Sequence, residues 1–202
     1  MYGRSFFATH EEVFSMTILG IDPSLYGTGW ALVECGPKGY YVLDSGTIRV
    51  KRIPTPKGRS KRQNLLELGQ LHSEFDLVLR NYKFTLDAFA IEVPISLPGQ
   101  QTAVLWQVQG LFRGFLGNTG LPGGCYDPGE VKAAVTGSRK AEKDVVMRFV
   151  LAQLTQPYQF GSKDESDAAA VALTHWHRQK QMQLSLPEVQ NKRRKASKEK
   201  PL

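Results

Sequence analysis

The sequence predicts one mixed α/β domain. Its core is a five-stranded sheet, with three antiparallel hairpin strands and two strands parallel to the first, flanked by helices. Three observations lead there. Three short apolar runs follow one another between Met16 and Ile48 with only turns between them, the spacing of an antiparallel meander. From Gln63 the apolar period changes to three or four residues, and helix-like and strand-like runs then alternate. A strand reached through a helix must cross over, so strands four and five run parallel to strand one.

The first strand is Ile18-Leu19-Gly20-Ile21, and it ends at an acid, Asp22. Pro23 has no N–H and stops the ladder. Ser24 to Gly29 forms a tight turn, too short for a nucleotide-binding loop. Trp30 to Glu34 is the second strand and, after a Gly-Pro-Lys-Gly turn, Tyr40 to Ile48 is the third. Lys51 to Arg62 follows, with six basic residues (Lys51, Arg52, Lys57, Arg59, Lys61 and Arg62), no acid and two prolines. Pro54 and Pro56 forbid a helix there, and a loop so charged suits either phosphate contact or plain solvation.

The helix from Gln63 to about Asn81 is expected to turn Leu65, Leu68, Leu71, Phe75, Val78 and Tyr82 inward. Leu86 to Ile91 is a strand that ends at Glu92 and is broken by Pro94, repeating the first motif. A helix over 101–116 follows, its buried side carrying Val104, Leu105, Val108, Leu111, Phe112 and Phe115. Its Gly110 and Gly114 leave a groove for another helix, in a dimer or within the fold. Gly124 to Tyr126 is the fifth strand. Asp127 caps the next helix, with Pro128 at its first position. Ala141 to Leu154 is helical, with Val146, Phe149, Val150 and Leu154 inward. The last helix starts near Ser162 and ends near Gln181.

Composition limits the function classes. The chain has 202 residues, is 41% hydrophobic and 22% charged, and carries a net charge of +7. No apolar run approaches the roughly 18 residues of a membrane span. Residues 1–15 lack the apolar core of a secretory signal and are expected as a flexible extension, or as an upstream start ahead of Met16. Cys35 and Cys125 have neither zinc-site nor disulfide spacing and fit reduced, cytoplasmic thiols. Six of the last thirteen residues are basic, so residues 184–202 are expected as a disordered basic tail that fits a polyanion such as nucleic acid. Trp30, Trp106 and Trp176 are expected in the core. His175 and His177 point to different helix faces and are expected to be structural or near the surface. Tyr26 fits either a loop contact or DNA.

The acids carry the chemistry. Asp22 and Glu92 end apolar strands at a proline-broken edge. Asp164 and Asp167 lie three apart at a helix start, on one face, ahead of an alanine run that packs closely. Ser162 and Glu165 fit an S-x-x-E capping box. Each acid has an ordinary explanation: Asp before Pro is a turn starter, and acids complement a helix N-terminus. Four that converged would need a cation, and carboxylates alone select hard ions such as Mg²⁺ or Mn²⁺. Two such ions about 4 Å apart are the two-metal clamp of nucleases.

The segments GIDPSLYGTGWALVE, AIE at 90–92 and DESDAAAVALTHWH at 164–177 resemble the RuvC Holliday-junction resolvases, of the RNase H-like (retroviral-integrase) superfamily. Glu130-Val131-Lys132 followed by Ala141-Glu142-Lys143 extends the likeness, which covers about residues 18–177. The resemblance implies an RNase H-like nuclease domain over 16–183. In it Asp22, Glu92, Asp164 and Asp167 hold two Mg²⁺, with Mn²⁺ as a substitute. Water activated on one metal attacks a DNA phosphate in line, and the other metal stabilises the leaving 3′ oxygen. Lys132 and Lys143 contact backbone phosphate. It further implies a homodimer cutting both strands of a four-way junction symmetrically, a cytoplasmic, nucleoid-associated enzyme, and a branch-migration helicase as a possible partner. Arg139 and Lys140 join the basic loop in holding duplex arms. One departure stands out: familiar members carry an aromatic residue three positions after the second acid, and here that position is Ile95. Ile95 or Leu97 is then the apolar wedge, or the substrate is broader branched DNA. The rival readings are a nuclease acting on flaps, forks or structured RNA, a non-catalytic junction binder, and an actin-like phosphotransferase.

Overall fold

The computed structural model describes residues 15–53, 61–93 and 100–198; the side chains of 61–64, 100–102 and 184–198 lie outside that description. In chain order the elements are β1 (Met16–Asp22), β2 (Thr28–Gly36), β3 (Gly39–Ile48), α1 (Lys61–Tyr82), β4 (Ala88–Glu92), α2 (Gln100–Gly117), β5 (Gly123–Tyr126), α3 (Pro128–Thr136), α4 (Lys143–Gln153) and α5 (Lys163–Lys198). The sheet order is β3-β2-β1-β4-β5. β1, β2 and β3 pair antiparallel, while β4 runs parallel to β1 and β5 parallel to β4. This is the expected mixed five-stranded sheet.

Alternation along the central strands divides the core between two faces. Ile18, Ala31, Val33, Ala88 and Ala90 face α3, α4 and α5. Leu19, Ile21, Leu32 and Ile91 face α1 and α2. The α5 face is made of small residues, and Ala168, Ala169, Ala170 and Ala172 are fully buried. The sheet answers with glycines. A Cβ on Gly20 would lie 2.0 Å from the Ala168 carbonyl oxygen, and one on Gly29 would lie 2.0 Å from that of Asp164. Backbone thus packs on backbone, and the N-terminus of α5 comes down on the ends of β1 and β2.

Several sequence expectations are corrected. Leu65 is 69% exposed. The inward stripe of α1 runs Leu71, Phe75, Leu79 at a spacing of four, and one turn earlier that stripe falls on Glu67, which is buried. Phe149 and Trp106 are likewise exposed, because the Val146/Val150 and Val108/Phe112/Leu116 stripes take the inward faces. The last helix does not stop near Gln181. Its backbone continues through Pro187 to Lys198, where a disordered tail is expected, and residues 188–198 are mostly good helix formers. Trp176 is buried as expected, and His175 is buried as well.

Candidate active site

Asp22 is the last residue of β1 and Glu92 the last of β4. Ile21 pairs with Ile91 in parallel register, so the two acids leave neighbouring strands side by side, where strands are about 4.8 Å apart. Asp164 and Asp167 occupy the first two turns of α5. Carboxylate oxygens of Asp22, Asp164 and Asp167 all lie within 4.8 Å of one another. Glu92 is outside that tight set but within electrostatic reach of Asp22 and Asp167.

The electrostatics follow from crowding carboxylates in partly buried space. Burial pushes the Asp22 carboxyl up to about 7; Asp167 and Asp164 push the same way and Lys143 opposes them. Glu92 is pushed up to about 8, by burial and then by Asp22 and Asp167, with Lys143 and Lys132 opposing. Without a cation these acids compete with one another for protons. Lys143 Nζ donates to Asp167 Oδ2 at 2.6 Å. Burial pulls Lys143 down, but this bond and the surrounding carboxylates hold it above its ordinary value. Of the two lysines expected at the site, Lys143 is bonded to the cluster and Lys132 is within electrostatic reach of Glu92.

The first turn of α5 is anchored by a residue read from sequence only as a cap. Glu165 is buried between the two aspartates. Its N–H donates to Ser162 Oγ at 3.3 Å, one arm of the capping box. The other arm misses the Ser162 N–H and goes elsewhere. Glu165 Oε2 accepts from Ser45 Oγ at 2.7 Å and from the Gly161 N–H at 2.9 Å, and Oε1 accepts from Thr47 Oγ1 at 3.3 Å. It thus ties the helix start to β3. Glu165→Ala leaves these buried donors unpaired and is expected to lower stability by about 1–3 kcal/mol in urea denaturation, with Glu165→Gln in between.

α3 has the expected cap. Asp127 and Glu130 form a full capping box, with Pro128 in the first turn. Arg139 donates to both Asp127 oxygens, at 2.9 and 3.2 Å, which fastens the loop before α4. Lys140, Lys51 and Arg52 are exposed. Lys57, Arg59, Ile95 and Leu97 lie outside the described residues, as do the side chains of Lys61 and Arg62. The two histidines hold the fold: His175 Nδ1 pairs with the Tyr126 hydroxyl at 2.7 Å and His177 Nε2 with that of Tyr40 at 3.1 Å.

A five-stranded sheet of this order, with acids at the tips of its first and fourth strands and more at the start of a helix packed across them, defines the RNase H-like nucleases as a class. Within it, the family model for crossover junction endodeoxyribonuclease RuvC matches residues 18–175. The chain belongs to that family. A RuvC of Synechococcus sp. is 32% identical over 161 residues, 80% of this chain and 98% of that protein. A RuvC of Ruegeria pomeroyi is 34% identical over 176 residues, 86% and 99% of the two chains. The structure of T. thermophilus RuvC in complex with Holliday junction substrate superposes with a TM-score of 0.63 at 25% identity, covering 79% of this chain and 92% of that one.

Proposed function

We propose that this protein resolves four-way DNA junctions, as a homodimer that nicks two strands at symmetric positions. The observation that carries the reading is the convergence of Asp22, Asp164 and Asp167 on one point, with Glu92 beside them, in a chain of the RuvC family. Oxygen-only donors of this kind fit a hard divalent ion, Mg²⁺ by preference and two per site, with Mn²⁺ as a substitute. Bound there, such ions supply Lewis acidity for in-line hydrolysis of a phosphodiester. The four acids hold and orient that charge. Lys143, already bonded to Asp167, is placed to pass to a substrate phosphate, and Lys132 approaches from the Glu92 side. Lys51, Arg52 and Lys140 fit contacts to the flanking backbone. The nuclease domain is residues 16–183.

The dimer reading draws on α2. Trp106 is 43% exposed there. Cβ atoms on Gly110 and Gly114 would meet nothing within 4 Å among the described residues, so no described helix fills their groove. A second copy is the natural occupant. Such an enzyme acts where chromosomal DNA is, in the cytoplasm at the nucleoid.

The test is cleavage of an end-labelled immobile four-way junction, with duplex, fork, flap and structured RNA alongside. The expected result is paired symmetric nicks in the junction with Mg²⁺ and none in EDTA. Equal cutting of forks or RNA replaces the junction reading with a broader nuclease; binding without cutting in either Mg²⁺ or Mn²⁺ replaces it with a junction binder.

A further inference from the structure

Beside the acid cluster lies a second arrangement that neither the carboxylates nor the two lysines use. The loop after Asp22 carries Tyr26, and the next residue, Gly27, is against the site: a Cβ there would sit 3.2 Å from Asp164 Oδ2. The Tyr26 hydroxyl does not point to solvent. It donates to Glu67 Oε2 at 3.0 Å. Glu67 is 2% exposed, and its other oxygen accepts from the Ile53 N–H at 3.3 Å. The neighbouring Lys51 N–H donates to Gln70 Oε1 at 3.3 Å. One face of α1 therefore ties down both the loop that follows Asp22 and the segment that follows β3.

Arg52 lies between those ties. Its guanidinium carbon is 4.5 Å from the centroid of the Tyr26 ring. The residue is exposed, and no carboxylate of the described residues is within ion-pair distance of it. Arg139, by contrast, is spent on Asp127. A guanidinium stacked on a ring keeps its N–H edge open, and that edge matches the oxygens of a phosphate. The ring is one residue from Gly27, so the Arg52 guanidinium stands over the same short loop that borders the carboxylates.

The geometry points to Arg52 as a preorganised clamp for a DNA backbone phosphate that flanks the acid cluster, with Tyr26 and Glu67 as the residues that position it. The inference rests on the junction-nuclease reading and adds to it a specific contact and the reason it is rigid. A flexible arginine loses rotamer freedom on binding, whereas one already stacked loses less. The burial of Glu67 follows from the same arrangement: a carboxylate on the inward face of a helix costs stability unless its oxygens are used, and here they fix the two segments that hold the clamp.

The experiment measures binding of the full chain to a four-way junction in EDTA, so that no cutting intervenes, over a series of salt concentrations. Arg52→Ala is expected to lower the log–log salt slope by about 0.9, the loss of one duplex phosphate contact, and to weaken binding throughout the series. Tyr26→Leu keeps every charge yet is expected to weaken binding in the same direction, because the guanidinium is no longer held; Tyr26→Phe keeps the ring and falls between. Thermal unfolding of each variant shows that the fold is intact, and Arg52→Ala, at an exposed position, keeps the test valid if Tyr26→Leu unfolds. An unchanged salt slope in Arg52→Ala overturns the clamp. A folded Tyr26→Leu that binds like the unsubstituted protein overturns its positioning. Both results leave the junction reading standing, whereas failure of the unsubstituted protein to bind junctions removes that reading itself.

Discussion

Asp22→Asn is expected to abolish junction cleavage while leaving junction binding in place. The substitution keeps the shape of the side chain at the tip of β1 and removes a charge from the cluster it shares with Asp164 and Asp167. Loss of an outer partner of a metal ligand typically costs about 10–100-fold in activity, and loss of the central ligand exceeds that. Gel assays of cleavage and binding on one labelled junction read both halves of the expectation. Cutting at the unsubstituted rate would show that the chemistry lies elsewhere.

The same substitution carries a second expected result of opposite sign. Asp22 is raised from 3.8 to about 7 in the folded chain. The folded state therefore holds a proton that the unfolded state releases between those values. Its contribution to stability is fully present below pH 3.8 and is lost as the pH rises through about 7. Above that pH the metal-free protein carries a buried carboxylate among other carboxylates. Asp22→Asn removes it, so the inactive variant is expected to unfold at a higher temperature than the unsubstituted protein at pH 8 in EDTA. Each kcal/mol regained appears as roughly 2–4 °C. Glu92 is raised for the same reasons and titrates together with Asp22, so the transition reports the pair. Mg²⁺ is expected to narrow the difference, since a cation at the site stabilises the unsubstituted protein preferentially.

The sheet was legible because its signals are local. Apolar runs ending in Asp22 and Glu92, the crossover rule and the Asp127 cap each depend on a few neighbouring residues, and each strand appears within two residues of its expected start. The convergence of the acids was legible as a pattern of spacing plus a family likeness. What escaped depends on partners distant in sequence. Glu67 sits on a helical face that periodicity assigns to apolar residues, and its contacts to Tyr26 and Ile53, distant in sequence, give its carboxylate partners there. Glu165 looks like half of a local cap, yet its carboxylate is spent on β3, 120 residues away. Trp106 is hydrophobic, and hydrophobicity alone placed it in a core that the rest of α2 already fills. Gly29 was read as turn chemistry, but its reason is the backbone of α5 lying against it.

Gly20→Ala is expected to be strongly destabilising, although it adds only one methyl group. The new Cβ would lie 2.0 Å from the Ala168 carbonyl oxygen, 2.9 Å from the Ala172 nitrogen and 3.0 Å from the Ala172 Cβ. No rotamer relieves the clash, because the atoms met are backbone and a side chain already reduced to a methyl group. Either β1 or α5 must move, and both lie in the centre of the fold. Overpacking a core usually costs about 1–3 kcal/mol, and a clash with backbone belongs at or above the top of that range. The displacement also reaches the chemistry, since α5 carries Asp164 and Asp167 on the same rigid rod. Gly20→Ala is therefore expected to lower the unfolding temperature by on the order of 10 °C and, in the fraction still folded, to weaken Mn²⁺ binding read by its paramagnetic signal. The control is Gly69→Ala on α1, where a Cβ meets nothing within 4 Å. That variant is expected to gain about 0.4–1 kcal/mol and leave Mn²⁺ binding unchanged. If Gly20→Ala were tolerated as well as Gly69→Ala, the close seat of α5 on the sheet, and with it the placement of two of the four acids, would be wrong.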